Sequence, residues 1–438
     1  MTTSLVLINA RLWSPDGAGT GCDAIVAEGG RITALTSTAQ ARAQAGPGTR
    51  VIDLGGRLAI PAFGDAHVHP VGGGLESLRC DLTGPRSRDR YLRIIGDCAR
   101  ALGPDEWVLG GGWSMEAFPG GLPSGADLAE VAAGRPVFLP NRDHHSAWVS
   151  PAALARAGIT RDTPDPADGR IERGPDGAPS GALHDGAMRL VSRLIPAPSP
   201  DELAAGLRAG QRHLHERGIT HWQDAIVGDA PDIGIPDALG TYRRAAAEGW
   251  LTAQVNGALW WDRNRGPDQI PALLARRAEA PGGRFRATSV KMMLDGVCET
   301  FTAAMTEPYT RAGNGHHHRG DLFVPEEEIA AALRLLSREG FQVHFHAIGD
   351  RAVTAALDAV ASAGRSAQEL RHHIAHLQFI RPEDLDRFAD LGVVANFQPL
   401  WATHDPQMDE LTLPIVGPER AGWQYRIGTL ARRGARLA

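Results

Sequence analysis

The sequence predicts an α/β protein: a TIM-like (β/α)8 barrel that is incomplete at its C-terminal end. A small β-sandwich precedes it, and a long insertion follows its first strand. Three observations carry this reading. From about residue 58, short apolar runs alternate with amphipathic helical stretches, the pattern of a parallel sheet wrapped by helices. Residues 4 to 57 instead hold brief apolar runs broken by Gly and Asp, as small sandwich strands do. Histidines and one lysine stand at the ends of the barrel-type runs, where such folds carry their chemistry.

The elements follow in order. Leu5-Val6-Leu7-Ile8, Ala24-Ile25-Val26, Arg31 to Leu35 and Val51 to Leu54 read as sandwich strands, giving an N-terminal domain over 1–57. The barrel then occupies 58–438, with strands expected at Leu58 to Asp65, Ile219 to Asp224, Thr252 to Ala258 and Ser289 to Leu294. Further strands are expected at Phe341 to His346, His372 to His376 and Val393 to Phe397, seven candidates in all. Glu326 to Glu339, Ala352 to Ala363 and Pro382 to Leu391 read as intervening helices. The stretch 72–200 is rich in Gly and Pro and has strand-like pieces of its own, Trp107 to Leu109 and Pro136 to Leu139. An insertion at that point in a barrel is expected to cap the mouth.

Bulk properties exclude several classes. At 438 residues, 43% hydrophobic and 22% charged, the chain has ordinary globular composition. Its net charge of -6 gives no electrostatic reason to expect nucleic acid. No apolar run is long enough to span a bilayer, and Met1-Thr2-Thr3-Ser4 lacks the basic start of a signal peptide. Cys22, Cys80, Cys98 and Cys298 are scattered, which fits a reducing cytoplasm. The expected partner is a small molecule; a homo-oligomer is left open.

Of 45 Lys plus Arg residues, only Lys291 is lysine. A guanidinium stays protonated, whereas a buried amine can lose its proton and act as base, nucleophile or ligand. Lys291 lies in Ser289-Val290-Lys291-Met292-Met293-Leu294-Asp295-Gly296, a short apolar run entering a loop. A lysine in a buried strand is costly unless something uses it. Asp65-Ala66-His67-Val68-His69-Pro70 offers His67 and His69 two residues apart, which in extended chain point the same way. His346 and His376 close two later apolar runs. Imidazole suits zinc, iron or manganese. A lysine between two cations makes sense as a carbamate formed with carbon dioxide, an anionic bridge that arginine cannot supply. His316-His317-His318 reads as a solvated loop; His144-His145-Ser146-Ala147-Trp148 lies in the insertion, either lining a substrate pocket or forming a turn.

At this point the chain resembles the amidohydrolase superfamily, in its amidohydrolase-3 or YtcJ-like branch. The matching pieces are Asp65 to His69, Gly111-Gly112-Trp113, His145 to Val149, Val290-Lys291 through Gly296, Thr302-Ala303-Ala304, Pro308-Tyr309, His346 to Val353, His376 and Gln398-Pro399. The resemblance implies a metal-dependent hydrolase with one or two divalent ions, zinc first among them. It implies His67 and His69 as first-strand ligands, Lys291 as the carboxylated bridge, and His346 and His376 as ligands on the fifth and sixth strands. It also implies an eighth strand ending in a proton-shuttling aspartate. The chain ends at Gly434-Ala435-Arg436-Leu437-Ala438, which reads as the run into that strand, with no aspartate after it.

The expected reaction is hydrolysis of an amide-like or cyclic C–N bond, with Trp113, His145, Trp148 and Asp295 around the substrate. Two alternatives stand beside it. A mononuclear deaminase would not need Lys291 and would normally carry His-x-x-Glu where this chain has His346-Ala347-Ile348-Gly349. A non-catalytic metal- or ligand-binding barrel would follow from the missing aspartate. With that strand incomplete, the chain is expected to be poorly soluble and close to inactive, unless Asp295 or Asp350 carries the proton.

Overall fold

The structure is a computed structural model describing residues 4–84, 86–230, 233–310 and 318–438. It divides into two compact units, residues 1–64 and 65–438.

The N-terminal unit is built on a four-stranded sheet, ordered Arg31–Thr36, Ala24–Glu28, Ser4–Ile8, Arg50–Asp53. Alternate residues of the central strands, Val6 and Ile8 facing Ala24 and Val26, form its core with Ala41. Ala41 comes from the helix Thr38–Gln44, which begins in a capping box between Ser37 and Gln40. Arg11–Leu12 pairs separately with Leu58–Ala59.

The larger unit carries a parallel sheet of eight successive strands. They are Phe63–Val68, Ile219–Val227, Gln254–Trp260, Phe285–Met293, Gln342–Ala347, His373–His376, Val394–Asn396 and Arg436–Leu437. The eighth position is held by two residues, Arg436 and Leu437, beside Val394 and Ala395. The expected first strand proves to be two. Leu58–Ala59 ends before Pro61, which has no N–H to give a ladder, and the barrel strand begins at Phe63. His67 therefore lies inside that strand, and His69 caps the helix Pro70–Ser77. The helix expected over Pro382 to Leu391 is also shorter: a 3₁₀ turn at Pro382–Asp384, then Arg387–Asp390.

Outward strand residues such as Val290, Met292, Val343, Phe345, Ile374 and Ala395 are buried in one large core shared with the surrounding helices. In the helix Glu326–Arg338, Ile329, Ala332, Leu333 and Leu336 form the buried stripe, and three glutamates in its first turn suit the dipole. The glycine run after His69 has a specific use. Helix Pro70–Ser77 crosses helix Pro200–His215 so closely that a Cβ on Gly74 would lie 2.0 Å from the Gly206 carbonyl oxygen. One on Gly210 would lie 2.3 Å from that of Pro70. This backbone-to-backbone contact holds the helix that starts at His69.

Within the insertion, a six-stranded mixed sheet runs Gly169–Arg173, Pro179–Asp185, Ser146–Val149, Val137–Pro140, Val108–Gly111, Cys80–Asp81. Among the described residues no helix is long and apolar enough to cross a membrane.

Candidate metal centre

Strand alternation builds the site. Register sets Lys291 beside His344, Met293 beside His346, and His344 beside His373, so these side chains share the barrel's inner face. His376 falls opposite Ala347, one residue out of that phase. Its φ of 79°, followed by 51° at Leu377, turns it back toward the site. Such backbone is strained for a residue with a Cβ and is held by its surroundings. Here the Leu377 and Phe379 N–H groups donate to Ala347 and Ile348.

The result is a packed group of imidazoles. Ring centres lie 5.2 Å apart for His67 and His69, 4.6 Å for His67 and His376, and 4.5 Å for His346 and His376. Lys291 is fully buried among them, close enough that its charge would bear on His67, His69, His344, His346 and His376. Burial holds all five rings below the usual histidine range, so they are neutral donors. Burial alone brings the Lys291 amine down to about 7.

Each ring has a partner behind it. His69 Nδ1 faces Asp224 at 3.8 Å, and the other Asp224 oxygen accepts from Tyr242 at 2.8 Å. His346 Nδ1 lies 3.2 Å from Asp295 Oδ1. Asp295 also accepts backbone N–H groups from Ala304, Ile348 and Gly349 at 3.0, 3.0 and 2.8 Å. Trp401 lies flat on His376, 4.9 Å between centres and 8° between planes. His67 Nδ1 is 2.9 Å from His344 Nε2.

Among the described residues no three His, Cys, Asp or Glu side chains are closed around one point as a finished metal cage. What the group offers is unmet capacity: His346 Nε2 and His376 Nδ1 are buried without a hydrogen-bond partner, while His69 Nδ1 is turned toward Asp224 beyond hydrogen-bond distance. Orphaned polar atoms of this kind are rare in protein interiors. Such atoms among neutral imidazoles, with a neutral-tending amine, fit a divalent ion with nitrogen preference.

The other sequence expectations fare unevenly. His145 is brought in: its ring lies 5.2 Å from that of His346, and its Nδ1 is 2.6 Å from Asp185. Burial opposes a charge on His145, yet Asp185 prevails and raises it above the ordinary value. Trp113 and Trp148 are not brought to the site. Both are fully buried in the insertion's core, with indole N–H groups bound to the Leu139 and Ser124 carbonyls at 2.7 and 2.8 Å. Asp295 is corrected from substrate contact to support of His346, since its two oxygens are filled by that ring and three backbone donors. Asp350 is equally committed, accepting from the backbone and hydroxyl of Thr306. His318 is exposed beside Asp321, while His316 and His317 lie outside the described residues.

Sequence reading missed Asp224, Gln223, His344, His373, Asn396 and Trp401. For all but Asp224 and Trp401 the signal was strict alternation within the strands, as in Gln342-Val343-His344-Phe345-His346-Ala347; Asp224 follows Gln223 directly and lies in the opposite phase, beside Tyr242.

Buried imidazoles and one amine at the C-terminal ends of a parallel sheet stand where barrels of this class carry their chemistry. Comparison agrees: the amidohydrolase family model matches residues 50–438, and the chain belongs to that family. YtcJ of Bacillus subtilis (strain 168) is 29% identical over 391 residues, 88% of this chain and 71% of its own length. The N-substituted formamide deformylase of Arthrobacter pascens is 25% identical over 405 residues, 90% of this chain and 72% of its own. A metal-dependent hydrolase from Pyrococcus furiosus superposes with a TM-score of 0.71 at 25% identity, covering 99% of this chain and 84% of that one. Family membership implies hydrolysis with a divalent metal.

Proposed function

We propose that this protein hydrolyses an amide-like or cyclic-amide C–N bond in a small molecule. It would use one or two divalent ions, zinc foremost, with Lys291 carboxylated by carbon dioxide as a bridging ligand. The observation that carries the reading is the coincidence of orphaned imidazole nitrogens with the chain's single lysine, all buried at one set of strand ends. The similarity to a formamide deformylase supports a C–N bond as the target.

His67, His69, His346 and His376 would hold the metal, with Lys291 between them. Bound divalent ions lower the pKa of water toward neutrality and polarise a carbonyl. Burial keeps the Lys291 amine at about 7, so at neutral pH a large share is the free amine, the form that attacks carbon dioxide. Asp295 fixes the ring of His346, and Asp224 faces that of His69. His145, tied to Asp185 through Nδ1, keeps Nε2 for a substrate atom, as a donor to the carbonyl oxygen or the leaving nitrogen. A cavity of about 160 Å³ beside the site, walled by Val297, Ile348, Gln378, Trp401, Tyr425 and Arg142, is of a size for a small acyl or amine group.

The test is metal analysis of protein purified with zinc and bicarbonate, together with a mass or crystallographic measurement at Lys291 and a panel of formamides and cyclic amides. The reading expects one or two metal equivalents, a carbamate, and turnover of at least one amide. Lys291→Arg should lose one equivalent of a two-metal site. Protein that binds no metal and turns over none of the panel would overturn it.

A further inference from the structure

Beneath the candidate metal ligands, the barrel interior carries a chain of hydrogen bonds whose direction can be worked out from one fixed end. The Thr288 backbone N–H and hydroxyl both donate to Asn256 Oδ1, at 3.1 and 2.7 Å. Asn256 therefore presents its Nδ2 to Gln223 Oε1, at 3.1 Å, and to Ser289 Oγ, at 2.9 Å. That makes Gln223 Nε2 the donor to His344 Nδ1, at 2.8 Å. A neutral imidazole that accepts at one nitrogen carries its proton on the other. His344 Nε2–H thus donates to His67 Nδ1 across 2.9 Å. His67, accepting at Nδ1, carries its own proton on Nε2.

We propose that Gln223 is a positioning residue for His67. Held by Asn256, it sets the hydrogen-bond direction through His344 and so decides which nitrogen of His67 has a free lone pair. In the arrangement seen here the free pair is on Nδ1, and it is spent on His344. His67 joins a metal through Nε2 only when the whole chain reverses, with His67 Nδ1–H donating down to His344 and His344 donating to residue 223. An amide anchored by Asn256 resists that reversal; a carboxylate at 223, which only accepts, imposes it. The link to metal rests on the function proposed above, whereas the hydrogen-bond direction does not.

Two substitutions test it, each with a sign opposite to that of simple damage. In Gln223→Glu the carboxylate accepts from His344 Nδ1–H. In Asn256→Asp, one step further from the metal, loss of the Nδ2 donor turns the Gln223 amide over, with the same result. Nitrogen-15 NMR of the metal-free proteins reads the tautomer of His67: proton on Nε2 in the parent chain, on Nδ1 in either variant. Chelator competition then reads zinc affinity, expected to tighten about tenfold, the low end of the effect usual for groups behind metal ligands. A His67 proton already on Nδ1 in the parent chain, or a folded variant in which it stays on Nε2, would overturn the inference. So would unchanged or weaker zinc binding in folded variants that show the switched tautomer. If the tautomer switches but parent and variants alike bind no metal, the proposed function fails and the hydrogen-bond assignment stands.

Discussion

Replacing Lys291 by methionine should stabilise the metal-free protein while removing a ligand. The amine has an ordinary value of 10.5, and burial holds it at about 7. Between those two pH values the unfolded chain binds a proton that the folded chain refuses, so the parent protein gains stability as pH rises. Below about pH 7 both states bind the proton and the full cost persists; near pH 10.5 it vanishes. At about 1.4 kcal/mol per pH unit, the cost is about 4 kcal/mol at pH 7. No carboxylate forms an ion pair with Lys291 among the described residues, and burial is the sole cause of its shift, so nothing offsets this cost. Lys291→Met keeps most of the side-chain volume and has no proton to bind. The assay is urea unfolding of metal-free parent and variant in CO2-free buffer at pH 7, 8, 9 and 10. Taking the difference cancels every other group that titrates in this range. The variant should be the more stable by several kcal/mol at pH 7, and the gap should close by more than half at pH 9. A gap that stays constant across the series would refute the buried, unpaired amine.

The remaining expectations follow from single contacts. Asp295→Asn replaces one oxygen with a donor facing the Ile348 N–H and His346 Nδ1, so zinc affinity by chelator competition should fall about 10- to 100-fold. Trp401→Ala removes the flat contact on His376, worth about 0.5–1.5 kcal/mol, and should weaken metal binding by up to about tenfold while the fold survives. Gly74→Ala forces a Cβ against the Gly206 carbonyl; a calorimetric scan should show a loss of at least about 1–3 kcal/mol, with metal lost in parallel because His69 begins that helix. Trp113→Phe should cost about 0.5–1.5 kcal/mol by removing the indole hydrogen bond to the Leu139 carbonyl, with KM unchanged for any substrate found.

Much of this was legible in the sequence, for reasons that differ by residue. The solitary lysine was a compositional signal that needs no fold to notice. His67 and His69 were visible because their spacing of two is itself a strand property, and His346 because it ends a run of the right length. Trp113 and Trp148 misled: a tryptophan beside glycines or histidines in a loop-rich insertion looks exposed. Only the tertiary packing shows both indoles enclosed with Phe118 in a T-shaped cluster. His376 was picked by its place at a strand end, but simple alternation would have pointed it outward. Its positive φ cannot be read from a histidine in a sequence. Trp401 arrives from a short 3₁₀ turn, Pro399–Ala402, that follows the seventh strand, and no local pattern links it to His376.

The residues missed altogether explain how the barrel works. A barrel of this type is ordinarily filled by branched apolar side chains. Here the inner positions carry His67, Gln223, Asn256, Ser289, Lys291, His344, His373 and Asn396, joined in part by hydrogen bonds from strand to strand. The apolar half of each alternation faces the helices, so the outer shell supplies the hydrophobic stabilisation and the interior is freed for orientation. An interior of amides and imidazoles is acceptable only when its donors and acceptors are matched, because an unmatched one costs about 1–3 kcal/mol. The orphaned ring nitrogens of His346 and His376 are therefore informative by where they fall, at the strand ends and above that hydrogen-bonded layer. Mutating the matched layer and the orphaned layer should have different consequences. Ser289→Ala, which leaves Asn256 and Gln342 each one partner short, should lower Tm with or without zinc present. His346→Ala removes an orphan and should lower Tm mainly by abolishing the stabilisation that zinc provides. Equal zinc-induced shifts in Tm for the two variants would mean that the orphaned nitrogens are not where the metal binds.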